Sequence, residues 1–148
     1  MDIIIIKKFD ELTLNELYNI LKLRSEVFVV EQKCIYLDLD GVDKSSYHFF
    51  IKDDNDKIKS YLRIFEKDEE TAQIGRVLTE EKERKKGYAL KLMEKGIEFC
   101  KNEMKKKKIY LEGQVYCHKL YLKLGFEIIS DEFLEDGIPH YKMLKRLN

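Results

Sequence analysis

The chain has 148 residues, and its 28 lysines and arginines balance 28 aspartates and glutamates, so the formal net charge is zero. This length predicts one domain, residues 1–148, with a core of its own. The balanced charge argues against a nucleic-acid partner. A membrane-spanning protein is also excluded, because no apolar run approaches the roughly 20 residues of a span.

The first half of the chain predicts a strand, a helix and three further strands. The run "MDIIIIKKF" is typical of a strand, and Thr13 and Glu16 have capping-box spacing before a helix over about residues 14–28. A short apolar run, "VFVVEQ", then leads into the acidic loop "YLDLDGVDKSS". The segments "YHFFI" and "KIKSYLRIFE" flank "KDDND" and predict a hairpin, and "TAQIGRVLT" predicts another strand.

The second half predicts a long helix followed by three more strands and a short helix. After Gly87, apolar residues recur at helical spacing as far as Cys100, and the lysines of "KNEMKKKK" suit the negative end of that helix. The strand "KIYLEGQV", the helical "HKLYLKL", the strand "GFEIIS", the turn "EDGIPH" and the strand "HYKMLKRL" follow. This order predicts a mixed sheet with helices on its faces, and the strands joined by the long helix should be parallel neighbours.

The stretch "RKKGYA" lies between a predicted strand and the start of the long helix. The N–H groups of a helix's first turn lack partners within the helix and lie at its positive pole, where they favour a phosphate. Gly87 allows a close backbone approach, small Ala89 avoids a collision, and Arg84, Lys85 and Lys86 add charge. The P-loop and GxGxxG patterns are absent, which argues against ordinary nucleotide sites. Taken alone, the stretch also fits a charged loop that ends in glycine.

The wider context of this stretch resembles a known family. The segment "RVLTEEKERKKGYALKLM" is similar to the acetyl-CoA motif of the GCN5-related N-acetyltransferase (GNAT) superfamily, and "LYLKLGF" resembles that family's second signature. The segments "VFVVEQ", "YLDLD" and "DGIPH" resemble the ElaA-like branch. The chain departs from the pattern at Ala89, where a second glycine is usual, at Lys85 and Lys86, where Gly-Gln is commoner, and at Thr79, where an aliphatic residue is usual.

The resemblance implies an α+β fold with a mixed, mostly antiparallel sheet flanked by helices. In this GNAT fold, two parallel strands splay apart to hold acetyl-CoA. The amides of residues 85–89 would bind the pyrophosphate, the side chains of Arg84 and the lysines would contact phosphate more loosely, and one strand would pair with the pantetheine arm. The implied cofactor-binding residues are Val77, Leu78, Thr79, Arg84, Lys85, Lys86, Gly87, Tyr88 and Ala89.

The resemblance also implies direct transfer of an acetyl group to a primary amine of a small molecule or a peptide, without a metal. Tyr121 takes the family position of the general acid that protonates the departing thiolate. The base stays open between His140, with its ordinary pKa of roughly 6.5, Glu31, Glu112 and water. Glu31, Glu112 and Arg76 are also candidates for substrate binding, although Arg76 equally fits an ordinary ion pair.

Two alternatives to this activity stay open. One is an acyl-CoA-binding sensor without turnover, and the other is an acyltransferase for a longer acyl group, which a roomier pocket beside Thr79 would permit. The exposed last strands of the sheet make a homodimer plausible. The acceptor amine itself is not identified by any motif.

The acidic loop around Gly41 and the histidine that follows it do not predict a metal site. With Gly41 at position 6 of a calcium loop, tyrosines occupy positions 1 and 12, so we expect Asp38, Asp40 and Asp43 to shape the loop or to meet a cationic amine. We expect a structural role for His48.

The cysteines predict neither a catalytic pair nor a disulfide. Cys117 and His118 are neighbours in a segment expected to be extended, where they would point to opposite faces. The three cysteines, Cys34, Cys100 and Cys117, are far apart and odd in number, and "MDIIIIKKF" is too short for a signal peptide. The pattern predicts free thiols in a reducing, cytoplasmic compartment.

Overall fold

The computed structural model describes residues 3–148, which form a mixed β-sheet with helices packed on both faces. The strands are β1 (Ile4–Lys8), β2 (Tyr47–Lys52), β3 (Ile58–Glu66), β4 (Thr71–Thr79), β5 (Lys108–Gln114), β6 (Glu127–Ile128), β7 (Phe133–Glu135) and β8 (Ile138–Arg146). The α-helices are α1 (Leu14–Arg24), α2 (Tyr88–Asn102) and α3 (His118–Lys123). The strand order is β1-β2-β3-β4-β5-β8-β6, and β7 pairs with β8.

The sheet separates into two halves that share one short parallel contact. Strands β4 and β5 pair only at Thr71–Lys108, Ala72–Ile109 and Gln73–Tyr110, whereas every other pairing is antiparallel. Beyond Gln73, β4 continues to Thr79 and β5 continues to Gln114 without pairing to each other. The predicted mixed, mostly antiparallel sheet with a splayed parallel pair is therefore confirmed.

Side-chain alternation along the strands builds two apolar cores. Phe49 and Ile51 of β2 pack in the core beneath α2, whereas Phe50 between them packs in the core beneath α1. Gly96 lets α2 approach the sheet closely, because a Cβ at this position would lie 3.0 Å from Cδ1 of Ile64. The sheet thus carries α1 on one face and α2 on the other.

The first helix differs from its prediction in type and length. Thr13 and Glu16 form the predicted capping box, with Glu16 N donating to Thr13 Oγ1 at 3.0 Å. The α-helix ends at Arg24, however, and a π-helical segment continues from Ser25 to Glu31. The wider turns extend the helix three residues past the predicted end, so "VFVVEQ" is mostly helical. Such segments are frequent at functional sites.

The C-terminal hairpin is longer than predicted. Only Asp136 and Gly137 form the turn, and both have left-handed backbones with φ of 51° and 79°. A two-residue turn of this kind matches the twist of paired strands, so pairing extends to Glu135 and Ile138 on either side. The prediction that all of "EDGIPH" is a turn was wrong, strand β7 was missed, and the strand predicted over "GFEIIS" is only two residues long.

Further features of residues 3–148 bear on the kind of protein this is. No helix in this range has both the length and the apolar character needed to cross a bilayer. Across the same residues, no group of three or more His, Cys, Asp or Glu side chains is placed to bind a metal ion. All three cysteines are free thiols.

Candidate active site

A cavity of about 890 Å³ opens where β4 and β5 diverge. Its walls come from both strands, the start of α2, α3, the π-helical segment and the C-terminal hairpin. It brings together all the predicted site residues except Lys86, whose Nζ lies 3.1 Å from Oε1 of Glu83. Residues separated by up to 109 positions in sequence, from Glu31 to His140, thus meet around one space.

One end of the cavity is the turn that precedes α2. Gly87 occupies the N-cap with φ of 83°, and Lys85 is also left-handed with φ of 66°. A Cβ built on Gly87 would meet no atom within 4 Å, so the backbone there faces open space. An open turn with alternating backbone conformation at the start of a fifteen-residue helix is a favourable environment for an anion.

The guanidinium of Arg84 is already occupied. Its Nη1 and Nη2 donate to the two carboxylate oxygens of Glu31, each at 2.7 Å, and its Nε donates to the carbonyl of Thr79 at 3.1 Å. A phosphate that binds this side chain would therefore have to compete with Glu31. The same hydrogen bonds lower the pKa of Glu31. A carboxylate held in this way is a poor proton acceptor, which argues against Glu31 as the base.

A short bridging segment, residues 31–34, spans the mouth of the cavity. Glu31 holds Arg84 beside β4, and the side-chain amides of Gln32 and Gln114 lie 3.3 Å apart at the end of β5. Cys34 Sγ donates to the carbonyl of Asp136 in the hairpin turn at 3.2 Å. The bridging segment therefore makes polar contacts with three sides of the cavity.

Strand β4 supplies an unpaired edge along one wall. From Ile74 to Thr79, the described chain places no strand against β4 on the side of β5. On the opposite side, Arg76 and Val77 both lie across from Leu62, which makes a β-bulge, and Arg76 has a left-handed φ of 54°. The Thr79 hydroxyl lies 3.0 Å from the Ser60 hydroxyl. The free backbone edge of β4 is thus available to a ligand in extended conformation.

The aspartates of the acidic loop are bound by three arginines. Buried Arg24 donates to Asp38 at 2.8 Å and to Asp43 at 2.7 Å, and Arg63 donates to Asp43 at 3.0 Å. Further pairs join Arg63 to Asp40, Arg76 to Asp38 and Arg76 to Asp40. The structural interpretation of the aspartates and the ion-pair interpretation of Arg76 are both confirmed. We call this set of six side chains the arginine–aspartate network.

The network lowers the pKa of Asp40 and Asp43, and a neighbouring histidine is buried beside it. Hydrogen bonds from Arg63 lower the pKa of Asp40 to about 2. Burial lowers the pKa of His48, whose Nδ1 lies 2.6 Å from the Tyr61 hydroxyl and whose Nε2 donates to the Asp43 carbonyl at 2.9 Å. His48 therefore has a structural role in the core, as predicted, and its lowered pKa favours the neutral ring.

Tyr121 lies on α3 with its ring buried against β5. Burial, with a smaller contribution from Cys117, raises the pKa of Tyr121, so its phenol stays protonated at physiological pH. The ring meets Phe126 edge-on, with centroids 6.2 Å apart, and its edge covers Gly113. These contacts hold the hydroxyl-bearing ring at the wall of the cavity.

Gly113 makes that placement possible. A Cβ at this position would lie 2.7 Å from Cε2 and 2.9 Å from Cδ2 of Tyr121. We expect Gly113→Ala to lower the free energy of unfolding by about 1–3 kcal/mol, because the ring or the strand must shift. Urea unfolding measures this. Gly75→Ala in β4 is the matched control, since nothing lies within 4 Å of its Cβ position. Equal stabilities would show that the ring moves freely.

A pair of carboxyl groups closes the far end of the cavity. Glu112 on β5 accepts a hydrogen bond of 2.7 Å from the Tyr110 hydroxyl, and despite burial its pKa is lowered by its interactions with Glu135 of β7 and with Tyr110. Burial, together with the hydrogen bond and the negative charge of Glu112, raises the pKa of Glu135 to about 7. His140 Nε2 lies 3.6 Å from Glu135 Oε2. Sequence reasoning missed Glu135, although reading Asp136–Gly137 as a two-residue turn would have placed it here.

The neighbouring Cys117 and His118 are not in an extended segment, as had been predicted. Cys117 ends a 3₁₀ turn and His118 begins α3, where its Nδ1 donates to the Val115 carbonyl at 2.6 Å. Burial raises the pKa of the Cys117 thiol, which keeps this cavity-lining group from being an activated nucleophile.

Comparison with known proteins identifies the family. Residues 16–147 match the model of the acetyltransferase (GNAT) domain. A UPF0039 protein of Schizosaccharomyces pombe is 43% identical over 138 residues, covering 93% of this chain and 92% of that protein. Protein ElaA of Escherichia coli is 37% identical over 140 residues, with the same coverage.

Solved structures agree with the sequence relatives. The crystal structure of Escherichia coli ElaA superposes with a TM-score of 0.91 at 35% identity, covering 99% of this chain and 100% of that one. An acyl-CoA N-acyltransferase from Pseudomonas aeruginosa gives a TM-score of 0.89 at 35% identity, covering 97% and 99%. The chain belongs to the GNAT acetyltransferase family and, within it, is ElaA-like.

Proposed function

We propose that this protein is an acetyl-CoA-dependent N-acetyltransferase that moves the acetyl group directly to a primary amine. The family supports acyl transfer in general. The observation that carries the finer proposal is one cavity that combines the anion-accepting turn at Gly87, the free edge of β4 and the protonated phenol of Tyr121. These features match, in order, the phosphates, the amide-bearing arm and the thioester of acetyl-CoA.

The backbone would do most of the cofactor binding. The amides of residues 85–89 would receive the pyrophosphate, and the free edge from Ile74 to Thr79 would pair with the pantetheine arm. An N–H of the Val77–Thr79 stretch would then face the thioester carbonyl. Such a donor stabilises the oxyanion of an acyl-transfer transition state, an effect worth roughly 3–4 kcal/mol in comparable enzymes.

The reaction needs a neutral amine and a protonated leaving group. The amine nitrogen forms a bond to the acetyl carbon, the carbon–sulfur bond breaks, and the thiolate takes the Tyr121 proton. The nitrogen releases one proton to solvent as it becomes the amide, and Tyr121 regains a proton from solvent. The raised pKa of Tyr121 keeps the proton on the phenol until negative charge develops on the sulfur. The raised pKa of the Cys117 thiol favours this direct transfer over a covalent acyl-cysteine intermediate.

Calorimetric titration with acetyl-CoA tests the phosphate site. We expect micromolar binding to the unmodified chain and at least tenfold weaker binding to Gly87→Glu, because the substituent would place a carboxylate where phosphate should bind. Gly87→Ala and Gly41→Ala form a matched pair. Both glycines have φ of 83° and open space around the Cβ position, so the two variants carry the same backbone strain.

The two alanine variants separate strain from binding. Only Gly87→Ala should lose affinity, whereas both should lose a similar stability of about 1 kcal/mol. Equal affinity of Gly87→Glu and the unmodified chain would place the phosphates elsewhere. A folded chain that binds no acetyl-CoA would contradict both the enzyme and the sensor.

Thiol release then distinguishes turnover from binding alone. Acetyl-CoA is incubated with the protein and with benzylamine, 1,4-diaminobutane or a tripeptide with a free amino end. Amine-dependent release supports the transferase, and tight binding without release supports an acyl-CoA sensor. Repeating the assay with longer acyl-CoA molecules tests the acyltransferase alternative.

A further inference from the structure

The base of the proposed reaction was left open between three side chains, and the cavity adds a fourth. Glu135 lies on β7 and Glu112 lies on β5, and these strands flank β8 on its two sides. The two carboxyl groups interact across β8. Both groups line the cavity that holds Tyr121. They lie on the wall opposite the turn at Gly87, since β5 and the hairpin belong to the other half of the sheet.

We infer that Glu135 and Glu112 act as one proton acceptor that takes the proton of the incoming ammonium. This inference rests on the proposed function. When both carboxylates are ionised, one proton passes from the ammonium nitrogen to the pair and is shared between the two groups. The neutral amine then attacks the thioester, and Tyr121 protonates the thiolate. The second proton that the nitrogen loses on becoming the amide goes to solvent, from which Tyr121 is reprotonated.

The surroundings of the pair support a group that gains and loses one proton. Each carboxylate opposes ionisation of the other, so the second ionisation is displaced toward neutral pH, where a general base works best. Five other charged or titratable side chains surround the pair. They are Tyr110 beside Glu112, His140 and Lys142 on β8, Asp136 in the turn, and Arg76 on β4.

The proton leaves the pair to solvent, because the Glu135 side chain is 44% exposed. His140 lies beside this exit, with its side chain 93% buried and its Nδ1 donating to the Ile138 carbonyl at 2.7 Å. Its Nε2 lies 3.6 Å from Glu135 Oε2, which exceeds a hydrogen bond. His140 and Glu112, both candidates from sequence, therefore flank Glu135 at one end of the cavity.

The proton shared by Glu112 and Glu135 should be detectable by NMR in the free protein, without any substrate. In a carbon-13 NMR titration of glutamate carboxyl groups, we expect one signal to titrate near pH 7. The signal should vanish in Glu135→Gln and persist in Glu132→Gln. Glu132 is the matched control, because it is an exposed glutamate beside the same hairpin. Glutamate signals that all titrate below about pH 5 would overturn the shared proton.

The rate of thiol release tests the catalytic role with an amine that supports turnover. In the unmodified protein, kcat/KM should rise with pH through about 7, since the pair must be ionised to accept a proton. Glu135→Gln should lower kcat at least tenfold and remove this step from the pH profile, with the Kd of acetyl-CoA unchanged. Glu132→Gln should change neither.

The outcomes separate this inference from the proposed function. If acetyl-CoA binds and thiol is released, but Glu135→Gln keeps both the rate and the pH profile, the carboxyl pair is not the base. If no amine releases thiol, the proposed transferase fails instead. The NMR titration still decides whether the pair shares a proton in that case.

Discussion

Replacing Tyr121 with phenylalanine should lower kcat by about 100-fold or more, while the Kd of acetyl-CoA stays the same. The phenol hydroxyl acts only on the departing thiolate, so its loss affects the transition state and not cofactor binding. Phenylalanine keeps the ring that covers Gly113 and meets Phe126, so the wall of the cavity should remain intact. Steady-state thiol release and calorimetry measure the two quantities.

A hydroxyl removed elsewhere controls for this change. Tyr47 on β2 packs edge-on against Phe99 and does not line the cavity, so Tyr47→Phe should leave kcat unchanged. If Tyr121→Phe turns over at the normal rate, the thiolate takes its proton from water, and Tyr121 serves only as part of the core.

Replacing Arg24 with leucine should lower the free energy of unfolding by about 3–5 kcal/mol. Arg24 is fully buried and holds both Asp38 and Asp43, so leucine would leave two buried carboxylates with one cation fewer. A loss of this size is a large part of the roughly 5–15 kcal/mol that stabilises a typical domain. Urea unfolding followed by circular dichroism measures it.

Lys22 offers a matched control on the same helix. Its side chain is exposed and makes only a 3.9 Å pair with Glu26, so Lys22→Leu should change stability by no more than about 0.5 kcal/mol. A small effect of Arg24→Leu would mean that Arg63 and Arg76 neutralise the aspartates without Arg24.

Much of the fold was predictable because its determinants are local. The spacing of Thr13 and Glu16 sets the start of α1, and the alternation along β2 sorts its side chains between two cores. The helix between β4 and β5 requires a parallel connection, which the short pairing at Thr71–Gln73 confirms. The turn at Gly87 was likewise recognisable, because its residue types and position each favour an anion.

The remaining features depend on contacts between distant residues. Arg84 and Glu31 are 53 positions apart, and no local pattern predicts that they form a bidentate pair. The arginine partners of Asp38 were likewise not predictable from the sequence, because they depend on how the acidic loop packs against α1 and β4. Glu135 was missed for a different reason, because the prediction assigned all six residues of "EDGIPH" to the turn, whereas only Asp136 and Gly137 form it.

The short seam between β4 and β5 has a mechanical consequence. Three residue pairs join the two half-sheets by backbone hydrogen bonds, and every other ladder lies wholly within one half, whereas the core beneath α2 includes Ile109, Leu111 and Met143 of the second half. The cleft can therefore widen at the unpaired ends of β4 and β5 without breaking a ladder. Across the opening, the bridging segment is held by the exposed Glu31–Arg84 ion pair and by the partly buried contact between Gln32 and Gln114. Such contacts are weak in water, so widening the cleft costs little compared with disturbing either core. The protein thus combines rigid walls with an adjustable gap between them.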